Sequence, residues 1–216
     1  MLHNKTTRLF SLCLSFLLIS FLTSAQLSGN YTINSALATG GTNFRSFNDL
    51  ASTLTNQGIS GSVTVDVVVG SGPYTERVTF TTIAGSGPGA TITINGNGNT
   101  ISAPTSSAER HVLRLAAVSY FTLNNLSVAP TGSTNIMAVH IFSSGSNITV
   151  NNVSVDMTGI TSTLAGGIVA SGSETSILTA GSFSNITFSN NTITGGGYGI
   201  SFMSTSATNL LINSSC

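Results

Sequence analysis

Asn147-Ile148-Thr149-Val150-Asn151-Asn152-Val153-Ser154-Val155 (NITVNNVSV) alternates apolar and polar residues in two short runs, with an Asn pair between them. Alternation with period two is the mark of a half-buried strand. Near-copies flank it: YFTLNNLSV from Tyr120, NITFSNNTI from Asn185 and NLLINSS from Asn209. A strand, an Asn corner and another strand therefore recur along the chain. Asn is the commonest residue after Gly to tolerate left-handed dihedrals, which is what a sharp corner demands.

The recurring unit is larger than this pair. A first strand precedes each copy, at Val112–Leu115, Ala138–Ile141, Gly167–Ala170 and Gly199–Phe202. Its apolar anchors Leu113, Val139, Ile168 and Ile200 are 26, 29 and 32 residues apart. That interval suits one three-stranded coil of a solenoid and is too short for independent hairpins. The longest interval carries an insertion, Ser171 to Gly181. Coils stacked at about 4.8 Å bring equivalent Asn amides within hydrogen-bonding reach. The spacing predicts such a ladder at inward corners through Asn125, Asn152 and Asn191, with Asn213 opening the next corner. The N-x-S/T matches at Asn125, Asn147, Asn152 and Asn185 follow from this corner pattern and are not read as glycosylation signals.

Upstream of the coils, Ser46 and Asp49 stand at capping spacing before Phe47, Leu50 and Leu54, and Gly58 follows. The pattern predicts one amphipathic helix over 46–57, closing the N-terminal end of the stack near Val65 and Val67. Residues 26–43 are polar and Gly-rich, with a strand-like piece at Tyr31–Ile33, and are read as a polar segment outside the domain. Residues 1–25 read as a secretory signal: Lys5 and Arg8, an apolar run Leu9–Leu22, then Thr23-Ser24-Ala25 before Gln26. No membrane span is expected after cleavage, so the chain is expected to be secreted or held at the cell surface. Leu210, Leu211 and Ile212 begin a further coil, and the native product is expected to continue past Cys216, whose corner would otherwise be an open end.

Beyond residue 25 four Arg face six acids, a net charge of −2 with no Lys. No basic stripe exists to hold nucleic acid or an anionic membrane. Cys216 is the one cysteine of the same region, so packing and backbone hydrogen bonds must carry stability.

The helix, Gly72-Pro73-Tyr74-Thr75-Glu76 before a strand, ITINGNGNTI and the Asn-cornered coils together resemble the right-handed parallel β-helix, or pectin-lyase-like, proteins exported by bacteria, in particular Bacteroidetes-type surface proteins. The resemblance spans 44–216 and implies an all-β, right-handed parallel β-helix solenoid with an N-terminal capping helix. Gly72, Tyr74 and Glu76 also match a G-x-Y-x-E segment of pectin methylesterases, which the resemblance makes a fold feature. Enzymes of this family work on the outer face of the first strand with converging acids and a base. Here that face offers Arg114 and His140 in consecutive coils, followed by Val169 and Ser201, a column with no acid. His111 precedes the strand. Asp156 and Glu174 form no evident pair, so a solvated strand face is the expected reading of Arg114 and His140.

Neither a metal site nor a cofactor is expected: His111 and His140 have no ligand-spaced acids, and Gly85–Gly89 lacks a following Lys. Three function classes follow from these residues. A scaffold or binding module would contact polysaccharide or other surface proteins. A polysaccharide lyase, hydrolase or esterase would need catalytic residues beyond Cys216. A structural spacer would need neither. The first is preferred, with the chain itself inert toward polyuronides.

Overall fold

The computed structural model describes residues 25–132, 136–205 and 209–215, so the segment expected to be a leader, up to residue 24, and Cys216 lie outside the described residues. The chain is a parallel β-helix: successive coils of strands stack in register into three long parallel faces around one apolar interior. Coil-to-coil pairing, rather than hairpins, follows from the short repeat and the left-handed corners.

The first face is built from β5 (Val78–Phe80), the first half of β8 (Leu113–Asn124), the first half of β10 (Met137–Asn151), β12 (Gly166–Ser171) and β14 (Tyr198–Phe202). Leu113, Val139, Ile168 and Ile200 are register partners, as the spacing predicts. The second face runs β1 (Leu27–Ile33), β3 (Ile59–Val67), β6 (Ile92–Asn95), the second halves of β8 and β10, β13 (Ser182–Gly195) and β15 (Leu210–Ser215). The third face holds β4 (Tyr74–Thr75), β7 (Thr100–Ala103), β9 (Ser127–Pro130), β11 (Ser154–Met157) and the end of β13. Inward columns such as Ile92, Phe121, Ile148 and Ile186 fill the interior. Each inward branched or aromatic residue sits about 4.8 Å above the next, so burial repeats coil by coil.

Residues 26–43 are not a separate polar segment. Leu27 and Ile33 are buried, and β1 pairs with β3 as the outermost full strand of the second face; the short β2 (Asn43–Phe44) pairs with β1 in turn. Polar residues at the outward positions of β1 hid its membership in the sequence.

The helix α1 (Phe47–Gln57) has Ser46 as its N-cap, whose Oγ accepts from the Asp49 amide at 3.1 Å, and Gly58 at its C-cap with φ +68°. Phe47, Leu50 and Leu54 are fully buried. The helix packs chiefly against β5, with β1 and β2 flanking it, rather than centring on Val65 and Val67. It takes the place a first-face strand would occupy one coil before β5, hence its neighbours. Glu76 of the Gly72–Glu76 segment accepts from the Phe47 and Asn48 amides at 2.9 and 3.0 Å, while Tyr74 stands edge-on to Phe47 at 5.1 Å. That segment therefore fastens the cap. Burial nonetheless holds the Glu76 carboxyl above its usual range, outweighing these amide bonds.

Candidate functional site

Two regions of the outer surface collect polar groups in register. On the second face, Thr64, Thr93, Thr122, Thr149 and Thr187 form one outward column. Two residues along each strand stands a second column: Asp66, Asn95, Asn124, Asn151 and Ser189. Its side chains hydrogen-bond along the stack. Asn95 Nδ2 donates to Asp66 Oδ1 at 2.8 Å, Asn124 Nδ2 to Asn95 Oδ1 at 3.2 Å, Asn151 Nδ2 to Asn124 Oδ1 at 2.8 Å, and Ser189 Oγ to Asn151 Oδ1 at 2.8 Å. Asp66 is the one ionisable side chain in these two columns.

The expected corner ladder is corrected in two respects. Asn125 and Asn152 do stack, at 3.1 Å, but Asn152 is exposed and both residues lie on the outside of the corner. Their left-handed column, with φ between +50° and +55°, continues through Asn97 and Asn190 rather than Asn191. Asn191 is fully buried at the position where Leu126 and Val153 sit in the preceding coils. Its Oδ1 accepts from the Val153 amide at 2.8 Å and its Nδ2 donates to the Val150 carbonyl at 2.9 Å. Which of two adjacent Asn turns outward depends on corner dihedrals, and a sequence does not display these. Asn147, Asn185 and Asn209 form a further ladder, at 3.2 and 3.0 Å, that the repeat alignment alone could have revealed.

The second region is the outer column of the first face, where Thr79, Arg114, His140, Val169 and Ser201 are register partners. The stacking of Arg114 and His140 agrees with the sequence reading; their solvation does not. His140 is 1% exposed and Val169 fully buried, because the insertion 172–181 folds back across the column. Ile177 of the insertion packs on Met137 and Val169 as an apolar cluster outside the main interior. Its carbonyl accepts from Ser201 Oγ at 2.9 Å. Ser171 Oγ donates to the Ser173 carbonyl, so it accepts from His140 Nε2 at 2.9 Å, and the imidazole proton resides on Nε2.

The column also gains the acid that the sequence withheld. Glu174 Oε1 lies 2.6 Å from Arg114 Nη1, and the next residue's carbonyl, Thr175, accepts from Arg110 Nη1 at 2.5 Å. The Arg114 guanidinium also lies 5.4 Å over the Phe142 ring, while its Nε is buried without a partner. Arg77 adds a third guanidinium, paired with Glu109 at 3.3 Å and donating to the His111 carbonyl at 3.0 Å. His111 Nε2 meets Thr79 Oγ1 at 3.2 Å. Thus three of the four Arg beyond residue 25 and both His of that region converge on one edge of a weakly charged chain. Burial, then the neighbouring His111 and Arg114, lowers the His140 pKa to about 3. Burial with Arg114 and Arg77 lowers that of His111 to about 4. Both imidazoles are neutral at pH 7, so the arginines carry the positive charge here.

The sequence signal for this cover was the strand Gly166–Ser171 itself. It lacks polar alternation, and every one of its residues is buried. A strand buried on both sides needs an outer layer, and the adjacent insertion is the segment at hand.

A cleft of about 560 Å³ lies at the helix cap, lined by Arg45, Asp49, Tyr74 and Glu76 among others. Its acids are engaged: Glu76 with the helix amides, Asp49 with Thr39 Oγ1. Among the described residues no three His, Cys, Asp or Glu side chains come together as a metal site would require. Nor is any described helix long and apolar enough to cross a membrane.

These features define a parallel β-helix with an N-terminal helical cap, a polar ladder face and a covered arginine cluster. Compared with protein-family profiles, curated proteins and solved structures, the chain matches none.

Proposed function

We propose that this chain is the β-helix scaffold of an exported protein, secreted or displayed at the cell surface, which contacts glycans through its second face. The carrying observation is the pair of Thr and Asx columns, held in register over five coils with almost no charge. Such a face offers hydroxyls and amides at a fixed repeat of about 4.8 Å, matched to neutral, hydroxyl-rich partners. The Asx side chains are already ordered by their own hydrogen bonds, so less side-chain entropy is lost when a partner docks. Few aromatic rings accompany them and Trp is absent, so each contact is weak and many must act together. The resemblance to exported β-helix proteins and the leader-like residues 1–25 support the compartment.

The test is binding to a glycan array and to insoluble polysaccharides. Wild type is compared with a Thr93→Lys/Thr122→Lys/Thr149→Lys variant, whose changes fall on half-exposed outward positions. Binding retained by the wild type and lost by the folded variant is expected. Equal binding by both, or none by either, would overturn the assignment of this face.

A further inference from the structure

The insertion that covers the first face engages it in a specific way. Two consecutive residues, Glu174 and Thr175, present a carboxylate to Arg114 and a main-chain carbonyl to Arg110. A carboxylate followed by a peptide carbonyl is what an extended acidic peptide would offer to the same two guanidiniums. We propose that Arg110 and Arg114 form a docking site for an acidic peptide segment of a neighbouring protein, and that residues 172–181 are a displaceable strap that occupies it from within.

Three observations carry this. The cations of an otherwise charge-poor chain are concentrated here, although fold stability does not require surface charge at one edge. Arg114 is incompletely satisfied: one Nη1 contact to Glu174 leaves the bidentate geometry unused, and its Nε is buried without a partner. The strap also closes on itself at its neck, although Gly181 at its far end donates to the Met203 carbonyl of the next coil at 2.9 Å. It leaves β12 at Ser171 and rejoins β13 at Ser182, with its ends held together by Gly172 N donating to the Thr179 carbonyl at 2.8 Å. A side chain at Gly172 would fall 2.3 Å from the Ala180 carbonyl, so the neck is closed by backbone against backbone. What holds the strap down is one apolar plug, Ile177, and a few polar contacts, while Leu178 and the Glu174 side chain remain over half exposed.

Lifting the strap opens the column Thr79, Arg114, His140, Val169 and Ser201 together with the apolar seat of Ile177. The partner is then an extended peptide with an acidic residue and a branched aliphatic residue three positions later, as in the strap's own Glu174-Thr175-Ser176-Ile177. Tethering gives the strap an effective concentration of the order of millimolar, so a free peptide competes poorly with it in the wild type. This site uses a different face from the glycan-contacting one proposed above and is tested separately.

The experiment uses the strap sequence in trans. A synthetic peptide GSETSILTA, matching Gly172–Ala180, is titrated into wild type, into Glu174→Gln, and into a protein whose residues 173–179 are replaced by Gly-Ser-Gly. The expected result is no measurable binding by wild type at sub-millimolar peptide and clear binding by the strap-replaced protein. Glu174→Gln should bind up to about fivefold tighter than wild type, the range an exposed ion pair supports. The peptide with Glu changed to Gln, and protein that also carries Arg114→Gln, should lose the gain. A folded strap-replaced protein that ignores the peptide would overturn the proposal, as would equal binding of the Gln peptide or of carboxymethyl-dextran. Should strap replacement prevent folding, hydrogen exchange of the wild type decides. Peptide at concentrations well above the millimolar effective concentration of the tethered strap must accelerate exchange in 172–181, and unchanged protection there refutes displacement.

Discussion

Asn151 and Asn152 are adjacent in sequence and do opposite work, so paired substitutions test the corner assignment directly. Asn151 lies in extended backbone and makes three side-chain hydrogen bonds. It donates to Asn124 at 2.8 Å and accepts from Ser189 at 2.8 Å and Asn190 at 2.9 Å. Each such bond contributes about 0.5–1.5 kcal/mol net, and the half-exposed setting favours the lower part of that range because water can replace lost partners. Asn151→Ala should therefore cost about 2 kcal/mol, a melting-temperature drop of roughly 4–8 °C for a domain of this size. Asn152 instead sits at φ +52° with one amide bond to Asn125 at 3.1 Å. Asn152→Gly should be nearly neutral, since Gly takes the left-handed conformation freely, whereas Asn152→Val adds left-handed strain of about 1–2 kcal/mol to the lost bond. Differential scanning calorimetry of the four proteins, wild type included, measures this. If Asn152→Gly melts well below the wild type, or if Asn151→Ala melts with it, the ladder argument is wrong.

Leu50 is fully buried in the cap, so Leu50→Asp should cost several kcal/mol and lower the melting temperature by more than 10 °C; an unchanged melt would show that the helix is not holding the end of the stack. Acid should weaken the first face through its two histidines. Their folded pKa values, about 3 and about 4, lie below the unfolded value near 6.5, so the unfolded chain binds more protons and stability falls as pH drops below 6.5. By pH 5 each contributes at most about 2 kcal/mol of destabilisation. Comparison with His140→Gln by denaturant unfolding between pH 7 and 5 should show a flatter profile for the variant, and parallel profiles would place the titration elsewhere.

The parts of the structure legible in the sequence are those governed by period. Leu113, Val139, Ile168 and Ile200 fall into register because a branched apolar residue recurring once per coil has one place to go. The helix was readable from Ser46, Asp49 and Gly58 because capping is local chemistry within a single turn. β1 was obscured because its outward residues are polar and its partner strand begins 26 residues beyond its end. Asn191 was misplaced for a related reason: at unchanged register that coil reads Ser189-Asn190-Asn191 where the preceding one reads Asn151-Asn152-Val153, so its Asn pair stands one position later, with Asn190 in the left-handed position and Asn191 inside. A shift of one residue exchanges the inner and outer faces, so here the place of the Asn pair within the corner decides whether an Asn is a surface rung or a buried clamp.

The arginine cluster was hidden by a different cause. Arg77, Arg110, Arg114 and Glu174 come from successive coils and from a loop that breaks the repeat, so no window of sequence contains them together. A solenoid coil contacts mainly its neighbours, and a side chain on its outer face normally meets solvent. An inserted loop can therefore alter the environment of one outer column without disturbing the stack beneath it. The buried strand Gly166–Ser171 shows how closely the two are fitted: Val169 points outward on a surface where an uncovered Val would be a liability, and Ile177 covers it. The residues that break the coil pattern are thus the ones that set the surroundings of this outer column, while the residues that keep the pattern build the stack beneath it. For that reason the strap can be replaced as a unit, and the coils should remain folded when it is.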